Sequence, residues 1–200
     1  MIMSDSSNEI TVRILGTKKE LIRLLEDAGY RLTSTGTLDD VYFLPGGYDA
    51  SLTPRKNLEK AVLLRKVTED GKTITELVHK KKQIAPDGTI LLQQKSACEV
   101  TDGKQAAELL RSMGYEPHIR IEERNMVYEK DGPGIVIKDV KDLGLLAEIE
   151  TREGTPFDTI DNLIGLVTDL RIPIVPGEYF VKKAELACET LLRKETWSDG

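Results

Sequence analysis

Residues 136–150, VIKDVKDLGLLAEIE, contain the pattern that decides the fold of this chain. At the end of this stretch Glu148 and Glu150 alternate with Ala147 and Ile149. Successive side chains of a β-strand point to opposite faces of the sheet, so the two acids are predicted to share one face. The function depends on whether that face is exposed to solvent or lines an enclosed binding site.

Two other segments show the same alternation of charged and apolar residues. In residues 9–14 the polar positions are Glu9, Thr11 and Arg13, and the apolar positions are Ile10, Val12 and Ile14. In residues 118–124, HIRIEER, the pattern predicts Ile119 and Ile121 on one face and Arg120, Glu122 and Arg124 on the other. Several strands are therefore expected to place charges of both signs on one side of the sheet.

The composition limits the class of protein. The 200 residues are 40% hydrophobic and 31% charged, which is enough to build one domain with a substantial core. The formal net charge of −6 argues against nonspecific binding to nucleic acid or to an anionic membrane. Two cysteines without zinc-binding spacing, a short polar N-terminus and no long apolar run predict a cytoplasmic protein.

The sequence predicts two similar halves within one domain, residues 1–200, with an ordered core at about 9–192. Residues 20–30, ELIRLLEDAGY, and residues 106–115, AAELLRSMGY, share a helical pattern, and each lies between predicted strands. Two strand–helix–multistrand units could close into one sheet or barrel with helices packed outside. Further helices are predicted at 158–170 and at about 182–194.

The direction of the charged face follows from where the helices pack. A one-sided antiparallel sheet with a solvated charged face is the simpler reading of any single strand. However, four or more amphipathic helices need an apolar surface, and the outside of a closed sheet supplies it. The charged side would then be enclosed, where charge must be paired or bound to a ligand. We therefore expect a charged ligand together with a metal ion.

These residues resemble the CYTH superfamily, the triphosphate tunnel fold. The resemblance rests on Glu9 with a base at Arg13, on LLR at 63–65, on HKKK at 79–82 and above all on residues 136–150. It implies an α+β fold in which an eight-stranded antiparallel closed barrel binds a triphosphate in its lumen with Mg²⁺ or Mn²⁺. Proteins of this kind often pair, so a homodimer is a further expectation.

The resemblance also implies roles for individual residues. The expected metal ligands are Glu9, Asp139, Glu148 and Glu150. The expected phosphate-binding residues are Arg13, Arg65, Lys80, Lys82, Arg120 and Arg124. Of these residues, Glu9, Arg65 and Lys80 are also expected to be catalytic. Carboxylate oxygens suit Mg²⁺, and arginine and lysine suit phosphate oxygens.

The sequence departs from the family pattern at three places. Thr11 stands where the family has a second glutamate, Glu123 precedes Arg124 where a basic pair is usual, and Arg65 is a single arginine. The resemblance implies, first, an enzyme like the class IV adenylyl cyclases, which convert ATP to cyclic AMP and pyrophosphate. An inorganic or thiamine triphosphatase and a noncatalytic triphosphate- or polyphosphate-binding protein are the alternatives.

Overall fold

The computed structural model describes residues 9–84, 90–152 and 154–198, with the side chains of 82–84, 90–93 and 193–198 excepted. The strands are β1 (Glu9–Arg13), β2 (Arg31–Pro45), β3 (Val62–Glu69), β4 (Lys72–Ile84), β5 (Ile90–Glu99), β6 (Tyr115–Glu129), β7 (Ile135–Val140) and β8 (Gly144–Glu150). The helices are α1 (Lys18–Asp27), α2 (Pro54–Leu58), α3 (Gly103–Ser112), α4 (Ile160–Asp169) and α5 (Lys183–Ser198). In the part of the chain that is described, no helix has both the length and the apolar composition that a bilayer crossing requires.

The strands form one antiparallel sheet in the order β1-β8-β7-β6-β2-β3-β4-β5. The outer edge of β1 pairs with the segment before α5. The Thr11 N–H donates to the Tyr179 carbonyl at 3.0 Å, and the Val181 N–H donates to the Thr11 carbonyl at 2.9 Å. This segment takes the edge that β5 would need. The eight-stranded antiparallel sheet is therefore confirmed, and its closure into a barrel is not.

The sheet is nevertheless strongly curled. Burial would raise the pKa of Glu148 on β8, but nearby cations, including Lys80 on β4, lower it. These two strands are five places apart in the strand order, which in a flat sheet would separate them by about 24 Å. An electrostatic effect of Lys80 on Glu148 requires a much shorter distance. The curl therefore brings β4 and β8 to face each other across a concave side.

The convex side of the sheet, here called the outer face, is apolar and covered by helices. Ile10, Val12, Ile137 and Ile149 of the sheet are fully buried there. They pack with Leu21 and Leu25 of α1 and with Leu163 and Val167 of α4. A capping box begins α1, since Thr17 and Glu20 each bond to the backbone of the other. Helices outside an apolar face, as the sequence predicts, are confirmed.

The concave side, here called the inner face, carries the charged residues of β1 and β8, but one end of it is apolar. Ile119 and Ile121 of β6 are buried at this end and pack with Cys188 of α5. The orientation predicted for β6 is therefore wrong. Its isoleucines lie on the inner face under α5, and Arg120, which alternates with them, lies on the outer face.

The turn between β7 and β8 sets the register of the stretch that decides the fold. Asp142 and Gly144 have φ values of 65° and 89°, a left-handed conformation that costs glycine little. The resulting hairpin places Lys138 opposite Leu146 and Val136 opposite Glu148. Lys138 and Glu148 are therefore diagonal neighbours on the inner face, within reach of each other.

Candidate active site

Three carboxylates meet on the inner face and are called here the carboxylate triad: Glu9, Glu148 and Glu150. One carboxylate oxygen from each lies within 4.8 Å of the others, and the group could hold a metal ion. The register explains the meeting, because Glu9 is directly opposite Glu150 and Thr11 is directly opposite Glu148. Like charges in directly opposite positions repel, so this arrangement favours a bound cation. The structure thus brings together three of the four expected metal ligands.

Lys138 supplies a positive charge within this arrangement. Its Nζ donates a hydrogen bond to Glu148 Oε2 at 2.7 Å, and both side chains are largely buried. Burial would lower the pKa of Lys138, but Glu148, Glu123 and Glu9 raise it above the ordinary lysine value. Lys138 is therefore a charged ammonium. The expected site residues did not include it, because Val136 and Ile137 make both faces of β7 apolar and leave its direction open.

A second buried ion pair lies beside Lys138. Glu123 is 4% exposed and accepts hydrogen bonds from Lys183 Nζ and, at 3.1 Å, from Asn125 Nδ2. Burial would raise the pKa of Glu123, but Lys183 and Lys138 together lower it. Glu123 is thus an integral part of the inner face. Alternation could not reveal Lys183, because this residue lies at the start of α5 and not on a strand.

Arg65 also lies on the inner face, in a closed pair with Asp40. Arg65 Nε and Nη2 donate to the two carboxylate oxygens of Asp40, each at 2.7 Å. The Asp40 side chain is fully buried, and that of Arg65 is 12% exposed. This bidentate pair uses two of the five guanidinium N–H donors, so the other three remain available for a phosphate.

The other cations expected on the inner face differ in how closely they approach the triad. Lys80 is half-buried and acts on Glu148, as described above. Arg13 lies at the end of β1, where its Nε is 3.5 Å from Glu178 Oε2 and both side chains are about 40% exposed. The side chain of Lys82 lies outside the described residues.

Three expected site residues lie on the outer face, away from the triad: Asp139, Arg120 and Arg124. Asp139 accepts a hydrogen bond from Lys18 of α1 at 2.6 Å. Arg120 donates to both carboxylate oxygens of Asp39 at 2.8 and 2.6 Å, and Arg124 is opposite Asp139 in the register. The expectation that they line the site is corrected for one physical reason. The inner face has apolar residues under α5, so an apolar residue does not identify the outer face.

The chemistry of the triad suits a hard divalent cation. Carboxylate oxygens are the ligands that Mg²⁺ and Mn²⁺ prefer, and three of them converge here. The ammonium of Lys138 already holds an oxygen of Glu148. A metal ion therefore fits the donor set of the triad, provided that Lys138 shares or releases Glu148.

Comparison with known proteins relates the chain to solved structures only. No protein-family model matches the chain, and no curated protein matches it. A protein from Pyrococcus horikoshii superposes with a TM-score of 0.68 at 19% identity, over 94% of this chain and 99% of that one. A candidate adenylate cyclase from Vibrio parahaemolyticus superposes with a TM-score of 0.60 at 13% identity, over 95% and 99%.

A plant protein gives a third comparison. It is a candidate adenylyl cyclase from Hippeastrum with a dominant triphosphatase activity, and it superposes with a TM-score of 0.55 at 17% identity, over 86% of this chain and 99% of that one. At such identities the comparisons establish the fold alone. This chain shares its fold with candidate adenylyl cyclases, and the resemblance stated above is confirmed at that level.

Proposed function

We propose that this protein is a metal-dependent enzyme that binds a nucleoside triphosphate on its inner face and converts ATP to cyclic AMP and pyrophosphate. The observation that carries the proposal is the meeting of the carboxylate triad with Lys80, Lys138 and Lys183 on one concave face. Acids that hold a metal ion and cations that hold phosphates are the two halves of a triphosphate site. The net charge of the whole chain would otherwise repel such a ligand.

On the inner face, the acidic residues would bind the metal ion and the basic residues would bind the phosphates. Glu9, Glu148 and Glu150 would hold Mg²⁺ or Mn²⁺, which would supply positive charge next to the reacting phosphate. Lys80 and the remaining N–H donors of Arg65 would contact phosphate oxygens. A cation about 4 Å from a phosphate oxygen contributes roughly 4 kcal/mol at an effective dielectric constant near 20. Several such contacts would together orient the triphosphate.

The cyclase reaction needs orientation and charge stabilisation more than a covalent intermediate. The 3′-oxygen of the ribose would form a bond to the α-phosphorus, while the bond from that phosphorus to the bridging oxygen breaks. Pyrophosphate would leave with the bonding electrons, and the hydroxyl proton would pass to solvent. Fixed cations such as Lys80 would stabilise the negative charge that develops on the phosphate oxygens.

A triphosphatase is the first alternative, and the Hippeastrum protein supports it. That protein shares the fold and has a dominant triphosphatase activity. The same inner face would hold the triphosphate, and water would attack a terminal phosphorus in place of the ribose oxygen. The orientation of the triphosphate relative to the triad would decide between the two reactions.

A noncatalytic triphosphate-binding protein is the second alternative, and two residues support it. Thr11 faces Glu148 where the resemblance implies a further carboxylate, and Lys138 holds an oxygen of the triad. Both features reduce the negative charge that is available to a metal ion.

Product analysis tests the proposal. Incubation with ATP and with inorganic triphosphate, each with Mg²⁺ or Mn²⁺, should yield cyclic AMP and pyrophosphate from ATP. Orthophosphate as the main product would instead support the triphosphatase. Thermal stabilisation by triphosphate without turnover would support the binding protein. Whichever of these three outcomes is observed, cyclic AMP formation, orthophosphate release or thermal stabilisation, the Lys80→Met variant should weaken it. The Lys66→Met variant should not, because Lys66 lies on the opposite face of the neighbouring strand.

A further inference from the structure

Lys138 holds an oxygen of Glu148, one of the three acids that would bind a metal ion. Its Nζ is 2.7 Å from Glu148 Oε2, and the charges of Glu9 and Glu123 also act on it. The hairpin of β7 and β8 fixes the position of its backbone, and its side chain is only 13% exposed. The ammonium is therefore held among the carboxylates and does not extend into solvent.

The charges around Glu148 would allow a divalent ion to replace the ammonium of Lys138. The triad contains three carboxylates, with Glu9 directly opposite Glu150, and Lys138 donates to Glu148. The lysine ammonium offsets one unit of negative charge at Glu148. A divalent ion would offset more, but it would meet the ammonium at the oxygen of Glu148, where two cations repel each other.

We propose that Lys138 is the resident cation of the carboxylate triad and that a divalent ion must displace its ammonium from Glu148. The four-carbon stem of lysine lets the ammonium move while the backbone stays in place. Free metal ions would therefore bind weakly. They would bind tightly once a nearby phosphate gives Lys138 another partner, a consequence that rests on the proposed function. By linkage, the metal ion would raise the affinity for triphosphate by the same factor.

The first experiment measures Mn²⁺ binding to the protein without nucleotide. Free Mn²⁺ is followed by electron paramagnetic resonance in the wild type, in Lys138→Met and in Lys141→Met. Lys138→Met should bind Mn²⁺ about 10- to 100-fold more tightly, because one positive charge next to the ion is removed. Lys141→Met removes the same charge from an exposed pair with Glu122 on the outer face. It should change the affinity by less than about twofold.

The double variant Lys138→Met/Glu148→Gln checks that the gain arises at the triad. It should lose most of the added Mn²⁺ affinity, because a carboxylate ligand is gone. Equal Mn²⁺ affinity of wild type and Lys138→Met would overturn the proposal. If Lys138→Met is unfolded without metal, Mn²⁺ should refold it, since the ion replaces the lost charge. A variant that stays unfolded in saturating Mn²⁺ would equally contradict the proposal.

The second experiment repeats the titration with a nonhydrolysable ATP analogue present. The analogue should raise the Mn²⁺ affinity of the wild type at least about tenfold and that of Lys138→Met by clearly less. The same increase in both proteins would overturn the coupling through Lys138. If the analogue binds neither protein, the proposed function fails, while the titration without nucleotide still decides the role of Lys138.

Discussion

Two ion-paired groups on the inner face are built on opposite principles. Arg65 and Asp40 form a closed pair, in which two parallel hydrogen bonds join one base to one fully buried acid. Lys138 instead makes a single bond to one acid of a triad. The first group joins one base to one acid, whereas the second joins Lys138 to one of three acids that lie close together.

The difference indicates which group holds the sheet together and which one serves a ligand. A bidentate arginine fixes geometry, whereas a lysine is a point charge on a flexible stem and can change partners. Breaking a fully buried pair leaves an uncompensated charge that the fold must bear. Breaking the bond between Lys138 and Glu148 instead changes the charge that is available to a ligand. Variants in the two groups should therefore affect different measurements.

The largest effect on stability is expected from Asp40→Asn. This change leaves the guanidinium of Arg65 largely buried without its counter-charge, and the free energy of unfolding should fall by about 3–5 kcal/mol. Chemical denaturation followed by circular dichroism measures it. The neighbouring Asp39→Asn is a matched control, because Asp39 binds Arg120 with the same two-bond geometry on the outer face. Arg120 is 59% exposed, so the control should cost at most about 1 kcal/mol.

Equal losses in the two aspartate variants would remove the distinction between the pairs. They would show that burial of the Arg65–Asp40 pair does not decide its contribution. A small loss in Asp40→Asn alone would mean that solvent reaches Arg65 and compensates its charge.

The next effect is on function and concerns Glu148→Gln. Loss of one carboxylate of the triad should lower turnover of ATP by about 100-fold or more, because charge stabilisation of the reacting phosphate is reduced. The free energy of unfolding should fall by less than in Asp40→Asn, since Lys138 keeps the nearby Glu123 and Glu9. Glu122→Gln, on the outer face, is the control and should leave turnover within about twofold. Turnover that is unchanged in Glu148→Gln would exclude the triad from the reaction.

Alternation in the sequence was sufficient for the strands whose apolar face meets the outer helices. On β1 and β8 it placed Glu9, Glu148 and Glu150 together, and the structure agrees. It was insufficient for β6, because α5 returns over the inner face and buries Ile119 and Ile121 there. A helix that packs inside a curled sheet leaves the same apolar alternation in the strand it covers as a helix outside the sheet does.

The remaining differences have similarly local causes. Asp39 and Asp40 are adjacent in a strand, so one must face inward, but composition does not say which one. Only the register with β3 assigns Asp40 to Arg65. The short helix α2 lies within residues 44–58, a segment whose prolines and glycines favour a loop. Pro54 in fact begins that helix, a position that suits proline.

A smaller effect should appear in the pH dependence of stability. Lys183 and Lys138 outweigh burial and hold the pKa of Glu123 below its ordinary value of 4.5. A lowered pKa means that the charged carboxylate stabilises the fold above the ordinary value. This stabilisation is lost as the pH falls through the lowered pKa. The wild type should therefore lose roughly 1–2 kcal/mol more than Glu123→Gln between pH 5 and the acid limit of the fold. If the free energy of unfolding falls equally with pH in the wild type and in Glu123→Gln, the assignment to Glu123 is contradicted.

The smallest stability effect is expected at Arg13, and here the measurement of function decides its role. Its Nε is 3.5 Å from Glu178 Oε2, longer than an ordinary hydrogen bond, and both side chains are well exposed. Arg13→Gln and Glu178→Gln should each change the free energy of unfolding by less than about 0.5 kcal/mol. If Arg13 contacts phosphate, Arg13→Gln should raise KM for ATP about tenfold, whereas Glu178→Gln should leave it unchanged or lower it. An equal rise of KM in both variants would mean that Arg13 acts through the pair, as part of the fold. Unchanged KM in both variants would place the phosphate-binding cations entirely on the strands opposite β1, with Lys80 and Arg65.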